Sequence, residues 1–278
     1  MDAKIAILVE DTCTGRGFLG EHGFSVWLET GEGSVLFDTG AGNALTHNAS
    51  KMGIGLGSAK NVVLSHGHDD HTGGLEAYLK LTGGADVIAC PGAFDRKYRI
   101  AGEKPPQYIG APLGEEDYRD LGARFTYIKE PTRLFQGVWL TGPVPRTTGF
   151  EGQEPTLFVK SADDQFVPDP VPDDQSMIVV TPSGLVVILG CAHAGIINTL
   201  KYASEFTGID QVHTVIGGPH LLRAGDATVD KVAEALKGFG VQRLGLCHCL
   251  GARQSHLMFQ RFGSALVQCE TGTRFTLQ

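Results

Sequence analysis

The sequence predicts a single α+β domain, residues 1–278, built as a layered sandwich of strands with helices outside. Three observations support this prediction. The chain is 42% hydrophobic and 19% charged, which is the composition of an ordinary globular protein with a real core. Its 38 glycines separate short β-branched segments, a pattern typical of strands joined by tight turns. Helical spacing recurs between these segments, and no fixed-period repeat indicates a solenoid or propeller.

The first half of the chain reads as successive short strands. We predict strands at 4–9, 24–30, 34–38, 61–65 and 86–89. The turn at 31–33 joins the second and third of these strands as a hairpin. Helices are predicted at 43–52 and 74–81. The histidine-rich segment that begins at His66 then lies where a buried strand ends in a loop.

The second half alternates in the same way. Strands are predicted at 176–181, 185–189, 211–216 and 243–246, and helices at 194–205, 228–238 and 252–262. Between the halves, residues 94–136 are rich in proline, glycine and clustered charges. We interpret part of this segment as an active-site lid; the alternative is a solvated insertion without contact to substrate.

Charge and cysteine content narrow the function classes. The formal net charge is -8 with scattered acidic residues, which argues against nucleic acid as a partner and favours a small-molecule substrate. No basic segment followed by an apolar run begins the chain, so we expect a cytoplasmic protein without a membrane partner. Most of the six cysteines are expected to be buried free thiols, because a chain of this size with a real core has no need of disulfides. The spacing Cys247-His248-Cys249 also argues against a zinc ribbon.

The segment from His66 to His71, sequence HGHDDH, carries the strongest chemical signal. It offers three imidazoles and two carboxylates at the end of one strand, where no helix face can separate them. Imidazole nitrogen and carboxylate oxygen are natural ligands of zinc, manganese and iron. One turn can direct His66 and His68 to one ion and Asp70 and His71 to another. The sequence therefore predicts a centre of two divalent metal ions, with zinc first and manganese or iron as alternatives.

This segment resembles the His-x-His-x-Asp-His signature of the metallo-β-lactamase superfamily. Asp38, at the end of an earlier strand, resembles an acidic residue that the family places there. The resemblance implies a four-layer αββα sandwich with the metals at one edge of the two packed sheets, and it implies that later strand ends supply further ligands.

Two later strand ends offer such ligands. His193 is expected to join His66 and His68, and His248 resembles the family's last histidine. The family's bridging aspartate has no clear counterpart, but Cys191 could occupy that position because a thiolate is a good zinc ligand. If Cys191 ligates, His193 could instead face the substrate or support the centre from outside.

Other residues are candidates for catalysis and substrate binding. Asp70 could orient the attacking water while it binds metal, and His220 could face the substrate as a proton donor. Arg146 or Arg223 could hold an anionic group. We interpret the remaining histidines as ordinary surface or helix residues: His22, His47, His213 and His256.

The expected activity is metal-dependent hydrolysis of a small anionic ester, such as a phosphoester. The segments 173–177, 190–198, 216–221 and 247–249 also resemble a subgroup of dihydropterin ribofuranosyl-aminobenzene phosphate synthase-like proteins, which implies transfer to an aromatic amine as an alternative. A non-enzymatic metal-binding module is a further alternative. A di-iron oxygen-reducing site is disfavoured, because His68 stands where such proteins usually have Glu and no flavin domain is present.

Overall fold

Three β-sheets organise the computed structural model, which describes residues 3–151 and 154–277. A seven-stranded sheet contains, in spatial order, β17 (Arg274–Leu277), β1 (Ala3–Val9), β2 (Ser25–Thr30), β3 (Gly33–Phe37), β4 (Ala59–Val63), β5 (Ala85–Ala89) and β8 (Ala123–Tyr127). A six-stranded sheet contains β16 (Arg243–Leu246), β15 (Val212–Gly217), β14 (Gly184–Ile188), β13 (Met177–Thr181), β10 (Val138–Leu140) and β9 (Thr132–Phe135). A smaller sheet contains β12 (Phe166–Pro168), β11 (Leu157–Lys160), β6 (Lys97–Arg99) and β7 (Gln107–Tyr108).

The two large sheets pack face to face, and helices cover both outer faces. The helices are α1 (Leu45–Lys51), α2 (Asp69–Thr72), α3 (Leu75–Thr82), α4 (Glu115–Asp120), α5 (Ile196–Thr207), α6 (Asp226–Gly238) and α7 (Ala252–Phe262), with short 3-10 turns at Leu56–Ser58 and Gly263–Ala265. Helices α1, α3 and α4 pack on the seven-stranded sheet, and α5, α6 and α7 pack on the six-stranded sheet. This is the predicted αββα sandwich of two mixed sheets.

Strand β3 shows why these segments read as continuous apolar runs. Val35 and Phe37 point into the core between the sheets, whereas Leu36 points outward under the helices. All three side chains are fully buried, because successive residues of a strand face opposite sides and both sides are covered. Each buried side chain of this size contributes about 1.5–3 kcal/mol to the free energy of folding.

Strand direction brings several strand ends to one edge. β1 and β3 are each antiparallel to β2 and therefore parallel to one another, and β4 is parallel to β3. In the other sheet, β14, β15 and β16 are mutually parallel. The loops that follow these strands consequently gather at a common edge of the sandwich.

The segment for which we predict a lid, residues 94–136, is divided among all three sheets. β8 and β9 belong to the two large sheets, so they are part of the sandwich itself. In the small sheet β6 pairs with β11 on one side and with β7 on the other. The residues after β7 reach the histidine loop, where Asp69 N donates to Ile109 O at 2.9 Å. Only this earlier part of the segment can cover the metal-binding edge, and a lid movement stays a prediction.

No helix within the described ranges combines the length and apolar character that crossing a bilayer requires.

Candidate metal centre

The strand ends at the common edge adopt an unusual backbone conformation. Four residues other than glycine have positive φ there: Asp38 at 60°, Ala192 at 47°, His220 at 52° and His248 at 53°. They follow β3, β14, β15 and β16, respectively. Such left-handed conformations cost on the order of 1–3 kcal/mol each and tend to occur at functional sites. The chain therefore tolerates strain where the side chains of four loops converge.

The first cluster of ligand atoms belongs to His66, His68 and His193, which lie within 4.8 Å of one another. His66 Nε2 lies 2.9 Å from His68 Nδ1, and the His193 ring centroid lies 4.7 Å from that of His66. His193 Nε2 is buried without a hydrogen-bond partner in the described structure. Burial lowers the pKa of His68 to about 3 and the pKa values of His66 and His193 well below 6.5. Three neutral imidazoles with converging nitrogens are a fit for a divalent metal ion.

The second cluster is centred on Asp70. Its Oδ2 lies 3.2 Å from His248 Nε2 and 3.8 Å from His71 Nε2. The Nδ1 atoms of both histidines face carboxylates at 2.7 Å: Asp38 in the case of His71 and Asp11 in the case of His248. A carboxylate on Nδ1 fixes the tautomer and leaves Nε2 free to bind metal. The second cluster therefore has the donor set and the outer support of a metal site.

Cys191 lies between the clusters. Its Sγ is 3.2 Å from His71 Nε2 and belongs to a group of ligand atoms with His66 and His71 within 4.8 Å. The structure thus brings both Cys191 and His193 to the centre, where the sequence left the choice between them open. Burial raises the pKa of the Cys191 thiol, so deprotonation of this sulfur requires a nearby positive charge.

A buried ion-pair network holds the histidine loop in place. Asp173 accepts hydrogen bonds from Gly67 N at 2.7 Å and from Lys97 Nζ at 2.8 Å. Lys97 is buried and also contacts Asp169. A Cβ atom at Gly67 would lie 1.8 Å from Ala93 O, which explains why only glycine fits between the two metal-facing histidines. These contacts between protein groups therefore hold the histidine loop in place.

Asp174 supports the His193 loop. Its Oδ2 accepts a hydrogen bond from Ala194 N at 2.7 Å, while Oδ1 has no partner among the described residues. Burial raises the pKa of this carboxyl to about 7.

A cavity of about 340 Å³ opens over both clusters. One wall comes from the small sheet through Arg99, Gln107 and Ile109, and the opposite wall includes His220 and Arg223. Arg99 Nε is buried and has no hydrogen-bond partner in the described part of the chain. A second cavity of about 450 Å³ adjoins the first and shares His193, His220 and Arg223 with it. The metal-facing atoms therefore lie at the floor of a space large enough for a small molecule.

Glu154 organises the cationic wall. Its carboxylate lies 3.1 Å from Arg223 Nη1 and 3.5 Å from His220 Nε2. The hydrogen bond with His220 lowers the pKa of Glu154 to about 2. Burial lowers the pKa of His220, but the contacts with Cys249 and Glu154 outweigh burial and raise it to about 9. His220 therefore faces the cavity as a protonated imidazolium near neutral pH.

Arg146, the other arginine proposed for substrate binding, is placed elsewhere. It donates to Pro170 O and does not line either cavity over the centre. The structure brings the remaining candidates to the cavity or directly beneath it: His66, His68, Asp70, His71, Cys191, His193, His220, Arg223 and His248.

The sequence analysis missed three residues at this site, Asp11, Arg99 and Glu154, and interpreted a fourth, His22, as an ordinary surface or helix residue. Contrary to our interpretation of His22 as an ordinary surface residue, its Nε2 lies 3.4 Å from Asp70 Oδ2. Asp11 follows β1, so its position just past a predicted strand was a usable signal. Arg99 and Glu154 lie in the segments that form or flank the small sheet, for which the sequence predicted no strands.

Comparisons with known proteins agree with this geometry. The model of the metallo-beta-lactamase superfamily matches residues 19–237. The 7,8-dihydropterin-6-methyl-4-(beta-D-ribofuranosyl)-aminobenzene-5'-phosphate synthase of Methanocaldococcus jannaschii is 31% identical over 93% of this chain and 91% of its own length. A crystal structure described as a metal-dependent hydrolase of the beta-lactamase superfamily is 33% identical, with a TM-score of 0.84 and 98% of each chain covered.

The fold also extends to distant proteins. The short form of human tRNase Z has a TM-score of 0.54 at 16% identity and covers 99% of both chains, which shows a shared fold alone. The match of the family model over most of the chain, together with the relatives above 30% identity, decides the classification. This chain belongs to the metallo-beta-lactamase superfamily.

Proposed function

We propose that the protein is a hydrolase that uses two divalent metal ions to cleave a small anionic ester such as a phosphoester. Zinc is the metal that we propose in the first place. One observation carries the proposal: two sets of converging ligand atoms lie at the floor of a cavity whose walls hold Arg99, Arg223 and His220. A cationic wall above a metal floor suits a substrate with negative charge.

The metal chemistry follows from general principles. Two bound cations would lower the pKa of a water molecule and polarise a substrate oxygen, so that hydroxide is available near neutral pH. His66, His68 and His193 would hold one ion, and Asp70, His71 and His248 the other, with Cys191 between them. Asp38 and Asp11 orient two of these imidazoles.

The cavity walls supply the remaining functions. Arg99 has an unpaired Nε among the described residues, so it is available to bind a substrate anion without first losing an internal partner. His220 lines the cavity and could donate a proton to the leaving group, because its contacts with Cys249 and Glu154 raise the pKa of its imidazole. Arg223 is engaged with Glu154 and adds positive charge at the rim.

A transferase reaction is the second candidate, supported by the identity to the archaeal synthase over 93% of the chain. The same ligands and cavity would serve it, with an aromatic amine in place of water as nucleophile. The difference between the two reactions therefore lies in the cavity occupant rather than in the metal centre.

Metal content and product analysis test the proposal together. The protein is purified without chelator, analysed for metals, and reconstituted with zinc, manganese or iron. It is then assayed with phosphomonoesters, phosphodiesters, thioesters and lactones, and with a dihydropterin donor plus an aromatic amine. About two metals per chain with ester turnover would support the hydrolase, and amine transfer alone would favour the synthase-like reaction. Failure to bind metal under every condition would contradict both.

A further inference from the structure

We propose that His22 is an additional ligand of the metal ion held by Asp70, His71 and His248, oriented for this role by Asp11. The inference rests on the proposed two-metal centre and extends its ligand set beyond the histidines of the strand ends.

Asp11 serves two imidazoles at once. Its Oδ1 contacts His248 Nδ1 at 2.7 Å, and its Oδ2 contacts His22 Nδ1 at 3.0 Å. With both Nδ1 atoms engaged, both Nε2 atoms are left with a free lone pair in the neutral rings. The two rings lie side by side with centroids 5.0 Å apart. His22 therefore contacts Asp11 through the same ring atom, Nδ1, as His248, which is an expected metal ligand.

The Nε2 atoms of both rings converge on Asp70. From Asp70 Oδ2 the distances are 3.2 Å to His248, 3.4 Å to His22 and 3.8 Å to His71. Ligand atoms around a tetrahedral zinc with bonds of about 2.1 Å lie about 3.4 Å apart, since the edge of a tetrahedron is about 1.6 times its centre-to-corner distance. The distances to His248 and His22 are close to the edges of such a shell, and the distance to His71 is somewhat longer.

Direct hydrogen bonding accounts for these spacings less well. Charge-assisted bonds from imidazolium to carboxylate are about 2.7–2.9 Å long, as both contacts of Asp11 nearly are. The spacing between His22 and Asp70 is 3.4 Å, which is longer than this range. A metal ion held between Asp70 and the two rings would account for their greater distance from Asp70 than from Asp11.

The backbone around His22 is fixed to Asp70 independently of the side chain. Phe24 N donates to Asp70 O at 3.1 Å, and Gly23 N donates to Asp11 Oδ1 at 3.3 Å. A Cβ atom at Gly23 would lie 2.5 Å from Asp70 O, so this close approach requires glycine. The loop between β1 and β2 is thus held where its imidazole reaches the second cluster.

His22 differs from the other ligands in exposure. Its side chain is 70% exposed, whereas that of His248 is 1% exposed. His22 would therefore be the outermost ligand of the shell, and its replacement should leave the core intact.

Metal binding by variants tests this role without reference to turnover. We compare wild type with His22→Ala, His22→Gln, His22→Cys and the control His256→Ala, a histidine on the exposed side of α7. Stoichiometry is measured by elemental analysis, affinity by chelator competition, and coordination by the visible spectrum of the cobalt-substituted protein. Circular dichroism checks folding. We expect His22→Ala to lose at least tenfold in affinity for one ion only, with an altered cobalt spectrum.

The other variants separate ligation from hydrogen bonding to Asp70. A glutamine still donates a hydrogen bond but is a poor zinc ligand, so His22→Gln should remain weak, whereas the thiolate of His22→Cys should restore affinity with a new charge-transfer band. Wild-type affinity and spectrum in His22→Ala, or full rescue by His22→Gln, would overturn the inference. If the wild-type protein binds no metal ion at all, the result would instead contradict the proposed function.

Discussion

At the scale of single residues, carboxylates fix the orientation of the imidazoles at this site. Asp38 lies beneath His71 and also accepts hydrogen bonds from Ser65, through the backbone N–H at 2.6 Å and the hydroxyl at 2.7 Å. Its side chain is fully buried, so the contacts with Ser65 and His71 provide the hydrogen-bond partners that a buried carboxylate needs. Asp38 thus sets the orientation of the His71 imidazole, which we propose as a metal ligand.

Arg99 offers a test of the anionic substrate at the same scale. A charge-assisted hydrogen bond contributes about 1.5–3 kcal/mol, so Arg99→Gln should raise KM roughly tenfold or more for an anionic ester. The change in KM should be much smaller for a neutral ester of similar size. Arg96→Gln is the matched control, since Arg96 is exposed and contacts Asp164 outside the cavity. Equal KM values for Arg99→Gln and wild type would rule out contact between Arg99 and the anion.

The pair of His220 and Glu154 predicts a pH dependence. His220 has a raised pKa of about 9 in the folded protein, so its charge and the associated stabilisation are present below 6.5 and are lost as pH rises through about 9. If His220 donates the proton, kcat should fall above about pH 9. Glu154→Gln removes one cause of the raised pKa and should move this decline to lower pH. Profiles of kcat against pH for both proteins provide the check, and an unmoved decline would exclude Glu154 as its cause.

At the level of elements, the histidine loop depends on a single glycine between β4 and α2. In Gly67→Ala the new methyl group would meet Ala93 O at 1.8 Å, and backbone cannot move aside as a flexible side chain can. We expect a loss of about 1–3 kcal/mol or more in the free energy of unfolding, together with weakened metal binding. Denaturant unfolding and chelator competition measure the two effects. Gly55→Ala, with open space around the added carbon, should change neither.

Elements also show what the sequence could predict. Nine of the thirteen strands of the large sheets were predicted, β1 to β5 and β13 to β16, because burial on both faces leaves apolar runs bounded by glycine and polar residues. The other four, β8, β9, β10 and β17, were not predicted, and the first two lie in the segment that we interpreted as a lid or insertion. The small sheet was missed because its strands have two to four residues and β6 pairs with β11 from a distant part of the chain. The sequence analysis therefore also missed Arg99, which lies in β6. His22 was missed because its approach to Asp70 depends on backbone contacts between loops, which local patterns do not encode.

For the whole molecule, the sandwich and the metal centre contribute separately to stability. Three large hydrophobic clusters fill the spaces between the two sheets and beneath the helices on either side. None of them contains a proposed metal ligand, since those ligands lie at one edge, in loops and in the short helix α2. We therefore expect chelator-treated protein to keep its secondary structure and to unfold at a lower temperature than the metal-loaded form.

The size of that decrease follows from linkage. Each ion that binds only the folded protein adds about 4 kcal/mol to the free energy of unfolding when its free concentration is about 1,000 times its dissociation constant. Scanning calorimetry of chelated, reloaded and untreated protein would measure the change, with circular dichroism at low temperature to test the fold. A variant lacking His193 should regain only part of the stability on reloading, because one cluster has lost a ligand. If chelation abolished the circular dichroism signal, the sandwich would depend on metal to fold, and the strained strand ends would be a consequence of metal binding rather than a preformed site for it.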